Sequence, residues 1–329
     1  MGAGANKAEC LPECVPLPLL DETHNVVELL DGRKLAFREY GDPSGVPVIF
    51  YHGSLSSRLF MPSWDDTHEA AVAAGARVIA LDRPGYGRSS FHAGRTFMDN
   101  GAELRALLAS AEDLEGRRVA LLGHRSGGPN ALAAAYVTSV PGMDCQVAVV
   151  GLASSEGPRL EMDLLSGGAS GRLPPTAQDA AITAATAYKR LRAACEELWD
   201  TWPDRCRMLA ADLSEATRQG CAAAEQDLLL EGSPWDFQLE DVNCRTLLWH
   251  GEDDKEVLPA VARHLASRLP DCSATFVKCE THLLVRRRWE ELLLGLVQEV
   301  QRAEGQLPQQ GPPPISVLVR PGCEDAAAP

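Results

Sequence analysis

The sequence predicts an α/β protein: a mostly parallel central sheet with helices on both faces, interrupted by a helical insertion. Three observations predict it. Short apolar runs ending at glycine recur along the chain, helical stretches separate them, and the alternation stops after residue 156 to resume at residue 242. Strands that are apolar throughout are what a sheet buried on both faces requires.

Residues 1–25 are irregular and proline-punctuated, and read as a loose N-terminal arm. VVELLDGRKLAFREYG (26–41) reads as two strands around an Asp-Gly turn, a residue pair that tight hairpins favour. VPVIFYHG (46–53) is a short buried strand, and RVIALDRPGYG (77–87), RVALLG (118–123), CQVAVVGLA (145–153) and CRTLLWHG (244–251) repeat its form. THEAAVAAGA (67–76) and GAELRALLASAEDLEG (101–116) are helical stretches between them. The core is expected over 26–156 and 242–305, divided by a helical cap over 157–241 with a long helical stretch at 176–202. Such a cap lies over the C-terminal edge of the sheet, where open α/β folds bind ligands. Residues 306–329 are proline-rich and read as a flexible tail.

With 329 residues, 45% of them hydrophobic and 23% charged, the chain can bury a sizeable core. Its formal net charge of −15 argues against a nucleic-acid partner, whose phosphates are held by cations. The one dense basic run, Arg286-Arg287-Arg288, precedes Trp289-Glu290-Glu291 and reads as the solvated start of a helix. No apolar run approaches the length of a membrane span, and MGAGANKAEC at the N-terminus has no secretory core. Ten scattered cysteines without CxxC pairs read as free thiols in a reducing compartment, so the cytoplasm or an organelle stroma is the expected location. GHRSGG lacks the Gly-Lys-Ser/Thr of a phosphate loop, no GxGxxG follows the first strand, and no His spacing suits a metal. No cofactor and no metal are expected.

Five segments then follow one another: DGRKLAFREYGDPSGVPVIFYHG, LDRPGYGRSS, GHRSGGPNALAAA, SPWDFQLEDVNCRTLLWHGEDDKEV and CETHLLV. In this order they resemble the landmarks of the α/β-hydrolases, in their esterase-like branch. These are a His-Gly oxyanion loop, an Asp-Arg-Pro-Gly-x-Gly-x-Ser loop, a nucleophile elbow, an acid strand and a histidine loop. The resemblance covers about residues 26–300 and implies an α/β-hydrolase fold and a serine hydrolase of small esters or acyl compounds. In such an enzyme a histidine removes the proton of a serine hydroxyl, and a carboxylate holds that histidine in the useful tautomer.

The resemblance puts Asp254 at the acid position, through the Gly-x-x-Asp-x-x-Val spacing from Gly251 to Val257. It puts His282 at the base position, with Thr281 where family members usually carry glycine. The two oxyanion N–H donors fall on Ser54 and Ser126. Aligning the family's G-x-S-x-G-G-P with Gly123-His124-Arg125-Ser126-Gly127-Gly128-Pro129 places Arg125 at the nucleophile position. A guanidinium stays protonated, has no acceptor and forms no acyl intermediate. Conventional hydrolysis is therefore expected to be impaired, with Arg125 pointing into the pocket to pair with Asp254 or fill the acyl site. Two alternatives stay open. One is an active serine hydrolase in which the turn slides so that Ser126 works with His282 and Asp254. The other is a non-catalytic subunit that binds a small acyl or carboxylate-bearing ligand, or joins a protein assembly. His52 and His250 read as structural, and Trp199, Trp202 and Trp235 as core residues that could instead line a pocket.

Overall fold

The computed structural model describes residues 25–60, 67–138, 146–158, 177–198, 203–308 and 315–319. β1 (Asn25–Glu28) and β2 (Lys34–Gly41) form the expected hairpin, which turns through Gly32 at a φ of 79°. β3 (Val46–Tyr51), β4 (Ala76–Leu81), β5 (Arg118–His124), β6 (Gln146–Ala153), β7 (Arg245–Gly251), β8 (Cys272–Lys278) and β9 (Ser316–Val319) follow. Together they make a nine-stranded sheet in the order β1-β2-β4-β3-β5-β6-β7-β8-β9. The β1–β2 and β2–β4 pairs are antiparallel and the others parallel. The helices, in chain order, are α1 (Thr67–Ala73), α2 (Asp99–Ala109), α3 (Gly127–Thr138), α4 (Ala177–Leu198), α5 (Pro203–Ala216), α6 (Ala222–Gly232), α7 (Pro259–Arg268), α8 (Leu284–Arg287) and α9 (Trp289–Ala303).

Successive side chains of a strand point to opposite faces, and here both faces are dry. Ile49 and Tyr51 of β3 enter one apolar cluster, while Val48 and Phe50 enter another. β5 divides in the same way, Val119 and Leu121 against Ala120 and Leu122. Residues of α2, α3 and α7 close the first cluster, and residues of α1 and α9 the second. On α9, Leu292, Leu293, Leu296, Val297 and Val300 are buried, the stripe expected of a helix lying on a sheet.

The connection from β3 runs to β4 on one side, and the chain then crosses back to β5 on the other. Loops that diverge at such a switch point leave a crevice beyond the carboxyl ends of the strands. Backbone strain collects on that edge. Among the described residues the non-glycine positions with positive φ are Leu55 (57°) after β3, Arg125 (50°) after β5, Ser154 (45°) after β6 and Cys279 (60°) after β8. Left-handed backbone costs an L-residue about 1–2 kcal/mol, and strain of this kind concentrates at functional sites.

Between β6 and β7 lie α4, α5 and α6. A small apolar cluster joins them to the core, in which Leu55 and Tyr86 meet Ala184, Leu213, Ala216, Ala223 and Ala224. The remaining docking is polar, with Gln219 donating to the Gly87 and Ser89 carbonyls beside several ionic contacts. Asp212 on α5 accepts hydrogen bonds from Ser56 Oγ (2.7 Å), Ser57 N (2.8 Å) and Ser57 Oγ (2.7 Å). Glu215 takes Arg58 at 2.6 Å, and Asp227 on α6 takes Arg83 at 2.7 Å and Arg95.

Two expectations are corrected. Residues 316–319 lie in the segment read as a flexible tail but form β9, paired from Thr275↔Ser316 to Lys278↔Val319. The partner residue is 41 positions away, so nothing local announces the pairing. Cys279 is disulfide-bonded, whereas Cys206, Cys221, Cys244 and Cys272 are free; spacing along the chain does not tell which thiols a fold brings within bonding reach. Trp235 is a core residue, as expected: it stacks on Phe237 at 5.3 Å and meets Phe97 edge-on at 5.4 Å within the first cluster. Trp199, Trp202 and nearly all of the N-terminal arm lie outside the described residues. No helix among the described residues is long and apolar enough to cross a membrane.

Candidate active site

β5 delivers His124 to the edge of the sheet, and α3 begins at Gly127. Between them Arg125, at a φ of 50°, is the apex of the turn. Three glycines fix this register. A Cβ on Gly123 would lie 2.5 Å from the Gly128 Cα, one on Gly127 1.9 Å from the Tyr51 carbonyl oxygen, and one on Gly128 1.8 Å from Ser155 Oγ. A slide that made Ser126 the apex would push His124 into the place of Gly123, where there is no room.

The Arg125 side chain runs across Gly53, where an added Cβ would lie 3.2 Å from its Cβ and 3.4 Å from its Cδ. Its Nε is buried without a partner. The expected ion pair with Asp254 is not formed, because that carboxylate is already occupied by donors of its own loop and by His282.

The Ser126 hydroxyl turns towards β3. Its Oγ lies 2.9 Å from Ser54 Oγ and accepts the Ser54 N–H at 3.3 Å. Ser54 Oγ donates to Asp227 at 2.9 Å. A hydroxyl has one proton, so Ser126 must be the donor to Ser54 Oγ. Both protons therefore point towards Asp227. Burial pushes the Asp227 carboxyl up, but Arg83 and Arg95 outweigh it and hold the group at about 2. A carboxylate so stabilised is a poor base. Of the two expected oxyanion donors, the Ser54 N–H is thus satisfied by Ser126 Oγ, while the Ser126 N–H has no acceptor among the described residues.

The other half of the site follows β7 and β8. Asp254 Oδ1 accepts the N–H groups of Glu256 (2.9 Å) and Val257 (3.0 Å), and Oδ2 faces His282 Nδ1 at 3.4 Å. Burial raises the Asp254 carboxyl, yet the bonds from His282, Val257 and Glu256 prevail and leave it below its ordinary value. Thr281 starts the turn into α8 through its carbonyl, which takes the Leu284 N–H at 3.1 Å. An open cleft of about 470 Å³ borders His282, lined by Asp253, Lys255, Glu256 and Thr281. The two flanking histidines are structural in their bonding. His52 Nε2 accepts the Arg83 N–H at 3.0 Å, so its Nδ1 donates to the Gly53 carbonyl at 2.7 Å. His250 Nε2 donates to the Val257 carbonyl at 2.9 Å.

A column of rings and cations joins the two halves. The Arg286 guanidinium lies 4.5 Å from the Phe60 ring, Phe60 stacks on His124 at 5.2 Å, and His124 lies 5.4 Å from His282. Burial first, and then His282, Arg125 and Arg286, drive the His124 imidazole well below its usual value, so this histidine is neutral. Arg286 is therefore no part of a solvated basic run. Within that run Arg287 pairs with Glu280 at 2.7 Å and Arg288 with Glu291 at 2.6 Å; α8 aims each arginine differently. Asp212, Asp227 and Arg286 are the residues that sequence reading missed, since nothing in their neighbourhood distinguishes them from surface charges.

A family model described as "Alpha/beta hydrolase family" matches residues 48–293. A non-heme chloroperoxidase of Streptomyces lividans is 37% identical over 98 residues, 30% of this chain and 34% of that protein. The chain aligns with about a third of the length of such curated relatives. Among solved structures, an esterase from Rhodococcus sp. superposes with a TM-score of 0.61 at 20% identity, covering 84% of this chain and 99% of that one. An enol-lactonase from Burkholderia xenovorans gives 0.60 at 16% identity, over 84% and 100%. At such identities the likeness is one of fold.

Proposed function

The chain belongs to the alpha/beta hydrolase family, and from that membership we propose that it keeps the family's cleft for a small acyl-type ligand while lacking the conventional serine nucleophile. One observation carries the reading. The apex residue is Arg125, and the neighbouring hydroxyl, on Ser126, is committed to Ser54 and through it to Asp227. Acyl transfer needs an oxygen within reach of a base, and here the base has none. In this reading Asp254 orients His282, and the pair stands ready for a hydroxyl that the turn does not supply. The arginine methylenes over Gly53 occupy the space in front of the oxyanion loop, which further disfavours an ester carbonyl there.

The test is a fluorophosphonate activity probe applied to the folded wild-type protein, followed by p-nitrophenyl acetate turnover. The expected outcome is no covalent labelling and no hydrolysis above the buffer rate. Labelling on Ser126, lost in Ser126→Ala, would replace this reading with the active hydrolase in which Ser126, His282 and Asp254 cooperate.

A further inference from the structure

We infer that the turn between β5 and α3 is a binding site for a carboxylate, anchored by the Arg125 guanidinium. The inference rests on the reading above, that this turn holds no nucleophile, and goes on to the chemical class of the ligand.

The first argument is charge. The whole chain carries a net −15, yet the Arg125 cation stands at this turn beside His124. The carboxylates nearby are committed elsewhere. Asp254 holds the Glu256 and Val257 N–H groups and His282, and Asp227 holds Arg83, Arg95 and Tyr86. Asp212 holds Ser56 and Ser57 and faces Arg286. Among the described residues no acidic group pairs with Arg125, and its Nε is buried without an acceptor. Removing a charged donor from water without a partner is costly, and an incoming anion supplies the missing acceptor.

The second argument is that further polar groups of the same turn lack partners. The Ser126 N–H has no acceptor among the described residues. It stands at the start of α3, a helix of 12 residues, and a helix N-terminus favours negative charge. His124, only 5% exposed, has an Nε2 with no partner. Three polar groups of one turn thus lack the partners that buried groups normally find.

The acids nearby select among anions. A planar guanidinium matches the two oxygens of a carboxylate. A second negative charge, as on a phosphate, would face Asp254 as well as Asp253 and Glu256 in the adjoining cleft.

The test is calorimetric titration of the wild-type protein with hexanoate and benzoate, each against its uncharged amide, and with inorganic phosphate. Expected is binding of the carboxylates in preference to amides and phosphate. Arg125→Gln should weaken it by about 10- to 100-fold, the worth of a charge-assisted hydrogen bond, and Arg125→Lys should fall between. Thermal unfolding shows that each variant is folded. Equal affinity in wild type and Arg125→Gln, no carboxylate binding, or tighter binding of phosphate overturns the inference. A fluorophosphonate adduct on Ser126 instead sinks the functional reading, so the two failures are told apart.

Discussion

The crevice has two sides that are held in different ways. After β7 and β8, the loops carrying Asp254 and His282 are tied to each other. The Asp253 N–H bonds to the Glu280 carbonyl at 2.9 Å, the Glu252 N–H to Val277 at 2.9 Å, and Gly251 lies so close that a Cβ would meet the Glu280 oxygen at 2.4 Å. After β3, the loop carrying Ser54 is tied to the cap, through Asp227, Asp212 and Glu215. Asp254 and His282 are therefore held by loops of the core, while the Ser54 side is held by the insertion as well as by core residues Asp82 and Tyr40. The two sides draw most of their supports from different elements, and the column of Arg286, Phe60, His124 and His282 is the link between them.

The sharpest way to test that separation is to place a hydroxyl at the apex of the turn. Arg125→Ser is expected to gain p-nitrophenyl acetate hydrolysis, and adding Asp254→Asn should remove about ten-thousand-fold of the gained kcat. Equal kcat in the single and double variants would show that the two sides do not meet. The next effect is on stability. Asp227→Ala leaves Arg83 and Arg95 buried without their partner, and urea unfolding should register a loss of about 3–5 kcal/mol. The smallest effect is a pH slope. Burial lifts Asp212 from 3.8 to about 6 against the bonds from Ser57 and Ser56. A carboxyl raised in the folded state stabilises it fully below its unfolded value, and that stabilisation is lost as pH rises through the folded value. Wild-type stability should thus fall between about pH 4 and pH 6, by on the order of 2–3 kcal/mol from this group. Asp82 and Glu103, also raised by burial, act with the same sign. The lowered Asp227 and Asp254 act at more acid pH. Urea midpoints of wild type and Asp212→Asn across this window should therefore diverge, the variant having the shallower slope.

Much of this was legible in the chain. Runs such as VPVIFY and RVALLG are apolar at both parities, and a strand of that kind has to be covered twice; both do feed the two clusters. The glycines around the turn made Arg125 readable as its apex, because each excludes a side chain for a reason of local geometry. What stayed hidden depends on distant contacts. The proton of Ser126 runs towards a carboxylate that lies 173 positions beyond Ser54, and no local pattern encodes that choice of rotamer. Asp212 in DLSEA and Asp227 in EQDLLL look like solvated helical acids until the cap is docked. Arg286 differs from its two neighbours only through the pitch of a single helical turn, and β9 only through the strand that receives it.

Asp227 grips Ser54, Arg83, Arg95 and Tyr86 at once. α6 is thus fastened to the core at one point by four partners. A change at this one carboxylate therefore reaches the loops after β3 and β4 and the insertion in a single step.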